Sequence, residues 1–355
     1  MTSTELTSEP GSEPSSEQAD TGRGGWALRG VSRPGPWKRG RIVAALSLLL
    51  ALFLLLHAHV PNSVGNLGSL VDTFLPWWGL FVPALLAAAL WRRSACAVAA
   101  LLLPALVWLN LFGGLLGDKS HAGGDLTVVS HNVGADNPDP VGTARDLAAS
   151  GADVLALEEI TARARGTYEK ALATAYPHHT VRGTVGLWSK LPLSDTEPVG
   201  IAMDYGPLAA TKPDGAEAAD GRALRTTVAT DRGPLAVYVA HFASTRVTPR
   251  DGFATDQRDR GARALGEAVA AERIERVLLL GDLNGSTDDR AFADLTARLK
   301  STQDVAGDGF GFSWPAAFPV VRIDQILVRG VEPTSSWVLP ATDSDHRPVA
   351  AGIKW

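Results

Sequence analysis

Six groups of polar residues interrupt otherwise apolar stretches in the C-terminal two-thirds of this 355-residue chain. Asn132 follows LTVVSH, Glu158 and Glu159 follow VLAL, His241 follows LAVYVA, and Asp282 and Asn284 follow VLLLG. Asp324 instead opens DQILV, and Asp345 and His346 precede PVAAGIKW. Carboxylates, amides and imidazoles are the side chains that ligate cations and carry protons. Taken singly, each has a plainer explanation. Asn132 could be a turn residue, Glu159 a surface acid at a strand end, His241 a satisfied buried histidine, GDLN a type I turn and SDH a turn or helix cap. Their shared placement at strand ends is what packing alone explains poorly.

The elements that would position them can be read from the apolar patterning. LTVVSHNV, VLALEEI, TVGLWSK, LRTTVAT, LAVYVAHF, RVLLLGDLN, RIDQILVRG and PVAAGIKW read as strands. Asp139–Ser150, Ala162–Ala175, Asp256–Ala271 and Asp289–Ser301 read as helices. In a mixed or antiparallel sheet the ends of some strands and the starts of others share a rim, so all six groups can converge on one site.

The order SHNV, LEEI, AHF, GDLN, RIDQILV, SDHRPV resembles the endonuclease/exonuclease/phosphatase superfamily, over roughly Asp125 to Trp355. The resemblance implies an α/β DNase I-like four-layer sandwich, two mixed, largely antiparallel sheets flanked by helices. It also implies a metal-dependent phosphoric ester hydrolase. Glu159 would hold the cation, Mg²⁺ with Mn²⁺ as the alternative, with Asn132 close by and Asp345 completing the shell; hard oxygen ligands suit such ions. Asp282 would orient or deprotonate the attacking water, and Asn284 would help place it. His346 would act on the scissile phosphate, with Asp324 holding its tautomer, and His241 would stabilise charge on the phosphoryl oxygens. Two departures stand out. Glu158 occupies a position where many members carry Gln, so Glu159 rather than Glu158 as ligand rests on register. Gln325 stands where many members carry His, and no catalytic part is expected of it.

The N-terminal third is of another kind. Residues 1 to about 40 are rich in Ser, Thr, Glu, Gly and Pro and read as a disordered cytoplasmic tail. Residues 41–117 hold three apolar runs, Ile42–Val60, Phe74–Trp91 and Ala95–Leu116, each long enough to cross ~30 Å of hydrocarbon. Lys38, Arg39 and Arg41 precede the first run and Arg92 and Arg93 separate the second from the third, whereas the loop around Pro61–Asp72 has no Lys or Arg. Positive charge stays in the cytoplasm, so three spans leave the C-terminal domain outside a multi-pass cell-membrane anchor. Trp77 and Trp78 then fall at the outer interface. Residues 118–124 read as a linker and 125–355 as the catalytic domain.

The part from residue 118 onward carries 25 Lys and Arg against 32 Asp and Glu, a net −7, which argues against a general grip on duplex nucleic acid. A single cysteine, Cys96, rules out an intrachain disulfide. GFGFSWPAAFPVVRIDQILV is similar to a stretch of actinobacterial membrane-anchored members, and the anchor plus external domain resembles the VanJ-type teicoplanin-resistance membrane proteins. That resemblance implies a lipid-linked phosphate or pyrophosphate of the cell envelope as substrate, and a link to antibiotic resistance. An extracytoplasmic nuclease is the alternative. A non-catalytic scaffold is the third reading, and it would show a lost ligand where this chain has none.

Overall fold

A computed structural model describes residues 35, 37, 39–201 and 221–355. The expected disordered tail lies almost wholly outside the described residues, as does Lys38.

All eight strands expected from the sequence form, and they lie in two six-stranded sheets. The first sheet comprises β1 (Leu126–Asn132), β2 (Val154–Glu158), β3 (His178–Arg182), β4 (Val185–Ser189), β13 (Glu332–Val338) and β14 (Val349–Lys354), in the order β13-β14-β1-β2-β4-β3. The second comprises β5 (Leu193–Pro198), β6 (Ala223–Thr230), β7 (Gly233–His241), β10 (Val277–Asp282), β11 (Lys300–Ser301) and β12 (Asp324–Arg329), in the order β11-β12-β10-β7-β6-β5. Each sheet contains one parallel pair, β1 with β2 and β7 with β10, and its other pairs are antiparallel. A short hairpin, β8 (Arg246–Thr248) with β9 (Gly252–Ala254), stands apart.

The sheets face each other through an apolar layer to which both contribute, including Val128, Ala156, Leu187, Val237, Val239, Leu278, Leu280, Ile326 and Ala351. Each such fully buried Val, Leu or Ile contributes about 1.5–3 kcal/mol. The outer face of the first sheet is covered by α5 (Pro140–Ala149) and α6 (Ala162–Leu172), and that of the second by α7 (Asp256–Ala271). The result is the four-layer sandwich expected. Asp139 and Thr161 start α5 and α6 by accepting the Gly142 and Ala164 amides, as helix N-caps do.

The helix expected over Asp289–Ser301 is a correction. A 3-10 turn (Arg290–Phe292) leads into a short α8 (Ala293–Thr296), and the chain then straightens into β11. Lys300 and Ser301 pair with Val328 and Leu327 at the sheet edge, and that pairing overrides the helical pattern.

The apolar N-terminal region forms α1 (Arg41–Leu56), α2 (Leu67–Thr73), α3 (Phe81–Trp91) and α4 (Ala95–Phe112). With their 3-10 extensions, two segments are long and apolar enough to cross a membrane, Arg41–His59 and Ala95–Leu115. The second expected run, Phe74–Trp91, instead belongs mostly to a bent pair, Leu67–Thr73 and Leu75–Trp91, with a 69° break between them. Within residues 118–124 the Lys119 amide donates to the Gly307 carbonyl and the His121 amide to the Thr334 carbonyl.

Candidate active site

The strand alternation aims the chemistry. In β10, Leu278 and Leu280 point into the layer between the sheets, while Val277 and Leu279, on the other parity, face α7, so Asp282 continues the inward set. Glu158, His241 and Asp324 continue the inward sets of β2, β7 and β12 in the same way, and Asn132 that of β1. Register brings them level: Asn132 pairs with Glu158, and Asp282 pairs with His241 on one side and Asp324 on the other. Both central parallel pairs therefore end at the same rim, where apolar layer gives way to polar cluster. Gly281 makes the close approach possible: its φ is 148°, and a Cβ there would come within 1.9 Å of the Ala240 carbonyl oxygen.

At the centre, the His346 imidazole Nδ1 lies 2.9 Å from Asp324 Oδ2, and its Nε2 is 3.8 Å from Asp282 Oδ2. Burial alone would lower the pKa of His346. The Asp324 and Asp282 carboxylates facing it outweigh that and raise it to about 10. Asp282 is raised by burial and by the Asp324 charge, an effect that His346 and the hydrogen bonds from Asn132 and Asn284 oppose. Asp282 accepts from Asn132 Nδ2 at 3.0 Å and from the Asn284 amide at 2.9 Å. His241 is fully buried and held neutral, first by that burial and then by the nearby Arg222 and His346 charges. Its Nε2 is 3.5 Å from Glu159 Oε1 and 3.6 Å from Asp282 Oδ2, and neither ring nitrogen has a hydrogen-bond partner among the described residues.

Two residues of the site hold left-handed backbone, Glu159 at φ 59° and Asn284 at φ 49°. Such conformations cost energy in non-glycine residues and cluster at functional sites. The turn at Glu159 separates the two glutamates. Glu158 stays between the sheets, fully buried, hydrogen-bonded by Ser130, and burial keeps its carboxyl far above the usual range. Glu159 swings out to accept the Ala135 amide and lines the cavity.

That cavity, about 360 Å³, is lined by Glu159, Asp282, Asn284, Asp345 and His346 among others. Asn132 braces it from behind, its oxygen accepting the Gly134 amide and its nitrogen holding Asp282. All eight expected site residues are thus brought to one rim. Three carboxylates on one partly open cavity, beside an unpartnered buried imidazole, are a donor set that fits a hard divalent cation. Asp282, Asp324 and His346 also place one potential ligand atom each within 4.8 Å of one another. Within this trio the shortest contact is His346 Nδ1 to Asp324 Oδ2 at 2.9 Å, which makes it also a histidine–carboxylate dyad beside Asp282.

Sequence reasoning missed the supports. Ser344 ties the rim together, donating to the Asn132 carbonyl and accepting the His346 amide. Trp314 Nε1 donates to Asp345 Oδ2. Gln325 donates to the Arg322 and Gly285 carbonyls. Nor did sequence reasoning find that Leu70, Thr73 and Phe74, from the apolar N-terminal region, line the cavity. No residue pattern at those positions signals it.

Comparisons with known proteins agree with this geometry. D. rerio TDP2 complexed with single strand DNA product superposes with TM-score 0.51 at 18% identity, covering 65% of this chain and 99% of that one. An endonuclease/exonuclease/phosphatase from Bacteroides vulgatus superposes with TM-score 0.50 at 16% identity, covering 64% and 98%. At such identities the likeness is one of fold. No curated protein matches the sequence. The family model described as Endonuclease/Exonuclease/phosphatase family matches residues 129–346, a span that begins in β1 and ends on His346 and so takes in every residue of the rim; the chain belongs to that family and is a phosphoric ester hydrolase.

Proposed function

We infer that this protein is a membrane-anchored, metal-dependent phosphoesterase whose site lies outside the cytoplasm and acts on a lipid-linked phosphate or pyrophosphate, as the resemblance to VanJ-type proteins implies. The observation that carries the reading is where the apolar helices dock. They pack on the catalytic rim itself, through the loop that follows Asp282 and Asn284: Arg290 forks onto Asp72, with Nε to Oδ2 at 2.8 Å and Nη2 to Oδ1 at 3.2 Å, and Ser69 donates to Asp289. On the remaining sides the helices expose Ile42, Leu49, Leu52, Leu102 and Leu106, a belt that water would not tolerate and hydrocarbon would. In this reading Arg41–His59, Leu75–Trp91 and Ala95–Leu115 are three spans.

Within the site, Asp282 takes the proton of the attacking water while Asn132 and the Asn284 amide hold its carboxylate in place. His346 carries positive charge against the phosphate and donates a proton to the departing oxygen, and Asp324 keeps its Nδ1 protonated. Neutral His241 offers Nε2 to a phosphoryl oxygen. Glu159 and Asp345, with Asn132 close by, would hold a divalent cation, Mg²⁺ in this reading and Mn²⁺ as the alternative. Such an ion would neutralise developing phosphoryl charge.

The test is a substrate comparison with the purified full-length protein in detergent, with Mg²⁺ or with EDTA. Release of phosphate from polyprenyl pyrophosphate, abolished by EDTA, is the expected result. Nicking of supercoiled plasmid with no action on the lipid would establish instead the second reading, an extracytoplasmic nuclease.

A further inference from the structure

The catalytic cavity is lined by two unlike sets of side chains. One set of lining residues is the polar group Asp282, Asn284 and His346; another is apolar and comprises Leu70, Phe74, Val247, Phe253 and Ile323. Leu70 belongs to α2, between the first two apolar runs, and Phe74 to the bend at the start of the second run, whereas Val247 and Phe253 lie on the β8–β9 hairpin of the sandwich. The wall is therefore shared between the N-terminal region and the catalytic fold.

This wall is held firmly. Besides its fork on Asp72, which is buried, Arg290 donates to the carbonyls of His57, Ala58 and Val60. Asp289 accepts from Ser69 on one side and from fully buried Arg258 on the other. The hairpin meets the turn before α2 backbone to backbone: the Phe253 amide donates to the Gly65 carbonyl, and both Gly65 and Gly252 have positive φ, with no room for a Cβ at Gly252, where it would meet Gly65 at 2.5 Å. A mere tether would not need so many contacts to the loop that follows Asn284.

The wall also leads somewhere. Phe74 is 38% exposed and is followed directly by the apolar Leu75–Trp91 segment, whose first residues include exposed Leu80 and Phe81; Val247, which lines the same cavity, is 75% exposed. A cavity of about 360 Å³ holds a phosphate headgroup and the first few carbons of a chain, and the rest would run out past Phe74 along the apolar helix. A small, water-soluble phosphate ester would leave this wall unfilled.

Resting on the reading of the protein as a lipid phosphoesterase, we propose that Leu70 and Phe74 are specificity-determining residues: with Val247 and Phe253 they bind the apolar chain next to the phosphate, so the N-terminal region is part of the substrate site.

The experiment uses the full-length protein in detergent and compares kcat/KM for farnesyl pyrophosphate with that for dimethylallyl pyrophosphate, which differ only in chain length. The wild type should favour farnesyl by about ten- to a hundredfold, the range over which apolar pockets discriminate. Phe74→Ala, and Val247→Ser at an exposed position where folding is not at risk, should each pull that ratio towards one, chiefly by raising KM for farnesyl. A wild type that cleaves both esters without preference, or variants that keep the wild-type ratio or lose the same fraction on both esters, would overturn this inference and leave the lipid phosphoesterase reading standing. A wild type that cleaves neither these esters nor polyprenyl pyrophosphate would overturn both.

Discussion

Asp282, Asp324 and His346 come from three well-separated segments of the chain, yet their side chains meet within hydrogen-bond or near-contact range. If Asp324 works by orienting His346, the pair acts as a unit and its losses do not multiply. His346→Ala should lower kcat/KM by ~10²–10⁴-fold, the usual reach of a positioned acid or base. Asp324→Asn should cost less, because the amide still hydrogen-bonds but cannot balance the imidazolium. Adding it to His346→Ala should cost little more, and multiplicative losses in the double variant would give Asp324 a different role. The two glutamates make a second residue-scale contrast. Glu158 is sealed between the sheets, where burial pushes its carboxyl well above the usual range and favours the uncharged form, so the neutral isostere in Glu158→Gln should leave activity little changed. Glu159→Gln removes a charged oxygen from the cavity wall and should raise the Mg²⁺ concentration needed for half-maximal activity by about tenfold or more. A magnesium titration of both variants checks this, and the reverse order of effects would make Glu158 the ligand.

At the scale of elements, the strands legible in the sequence and those that were not divide cleanly by position. Every strand expected from its apolar run lies inside a sheet, with a hydrogen-bonded neighbour on each side. The four missed from the two large sheets, β3, β5, β11 and β13, are their edges. HHTVR, LSDTEP and EPTSSWV are polar, as edge strands are that must not recruit another chain. The element that matters most to the site is β10, whose Gly281 lets the strand pass close to β7 before Asp282. Gly281→Ala would drive a methyl into the Ala240 carbonyl at a φ that L-residues rarely adopt. It should lower stability by about 3 kcal/mol or more, the cost of strained backbone with added overlap, and a thermal melt of the purified protein against wild type reads it directly.

For the whole molecule, the docking of α2 on the catalytic rim has a consequence for topology. Asp72 and Ser69 lie in the segment between the first two apolar runs, and they touch Arg290 and Asp289 of the sandwich, so that segment and the catalytic fold share one side of any membrane the helices cross. The distribution of Arg and Lys argues that this side is the outer one. An alkaline phosphatase fused after Trp355 should therefore be active, and a fluorescent protein that matures only in the cytoplasm should be dark there; a bright reporter would reverse the orientation. The aromatic stretch before Asp324 takes its meaning at this scale too. Phe310 stacks on Phe312 and packs against Trp108 and Phe112, and Phe312 stacks on Trp77, whose indole donates to the Val320 carbonyl. Trp77, expected as a residue of the membrane interface, is thus a joint between the helices and the sandwich.

The strand cores, the six polar groups at their ends and the apolar helices were all readable in the residues, because apolar periodicity and strand-end chemistry are local and need only a few neighbours. GDLN and SDH carried their resemblance for the same reason, since each lies within a few residues of chain. What required the fold was every relation between distant segments. Glu158 and Glu159 are adjacent, and only the left-handed turn at Glu159 decides that one is sealed in the core while the other faces the cavity. Asn132 is placed close to the cation by resemblance, and only the pairing of β1 with β2 and the proximity of Asp282 set its amide nitrogen to bracing a carboxylate as well. Phe74 reads as one more residue of an apolar run. Its place in the wall of the active site follows from a 69° bend and from the hold of Arg290 on Asp72, and no local pattern can encode a contact whose partner lies so far along the chain.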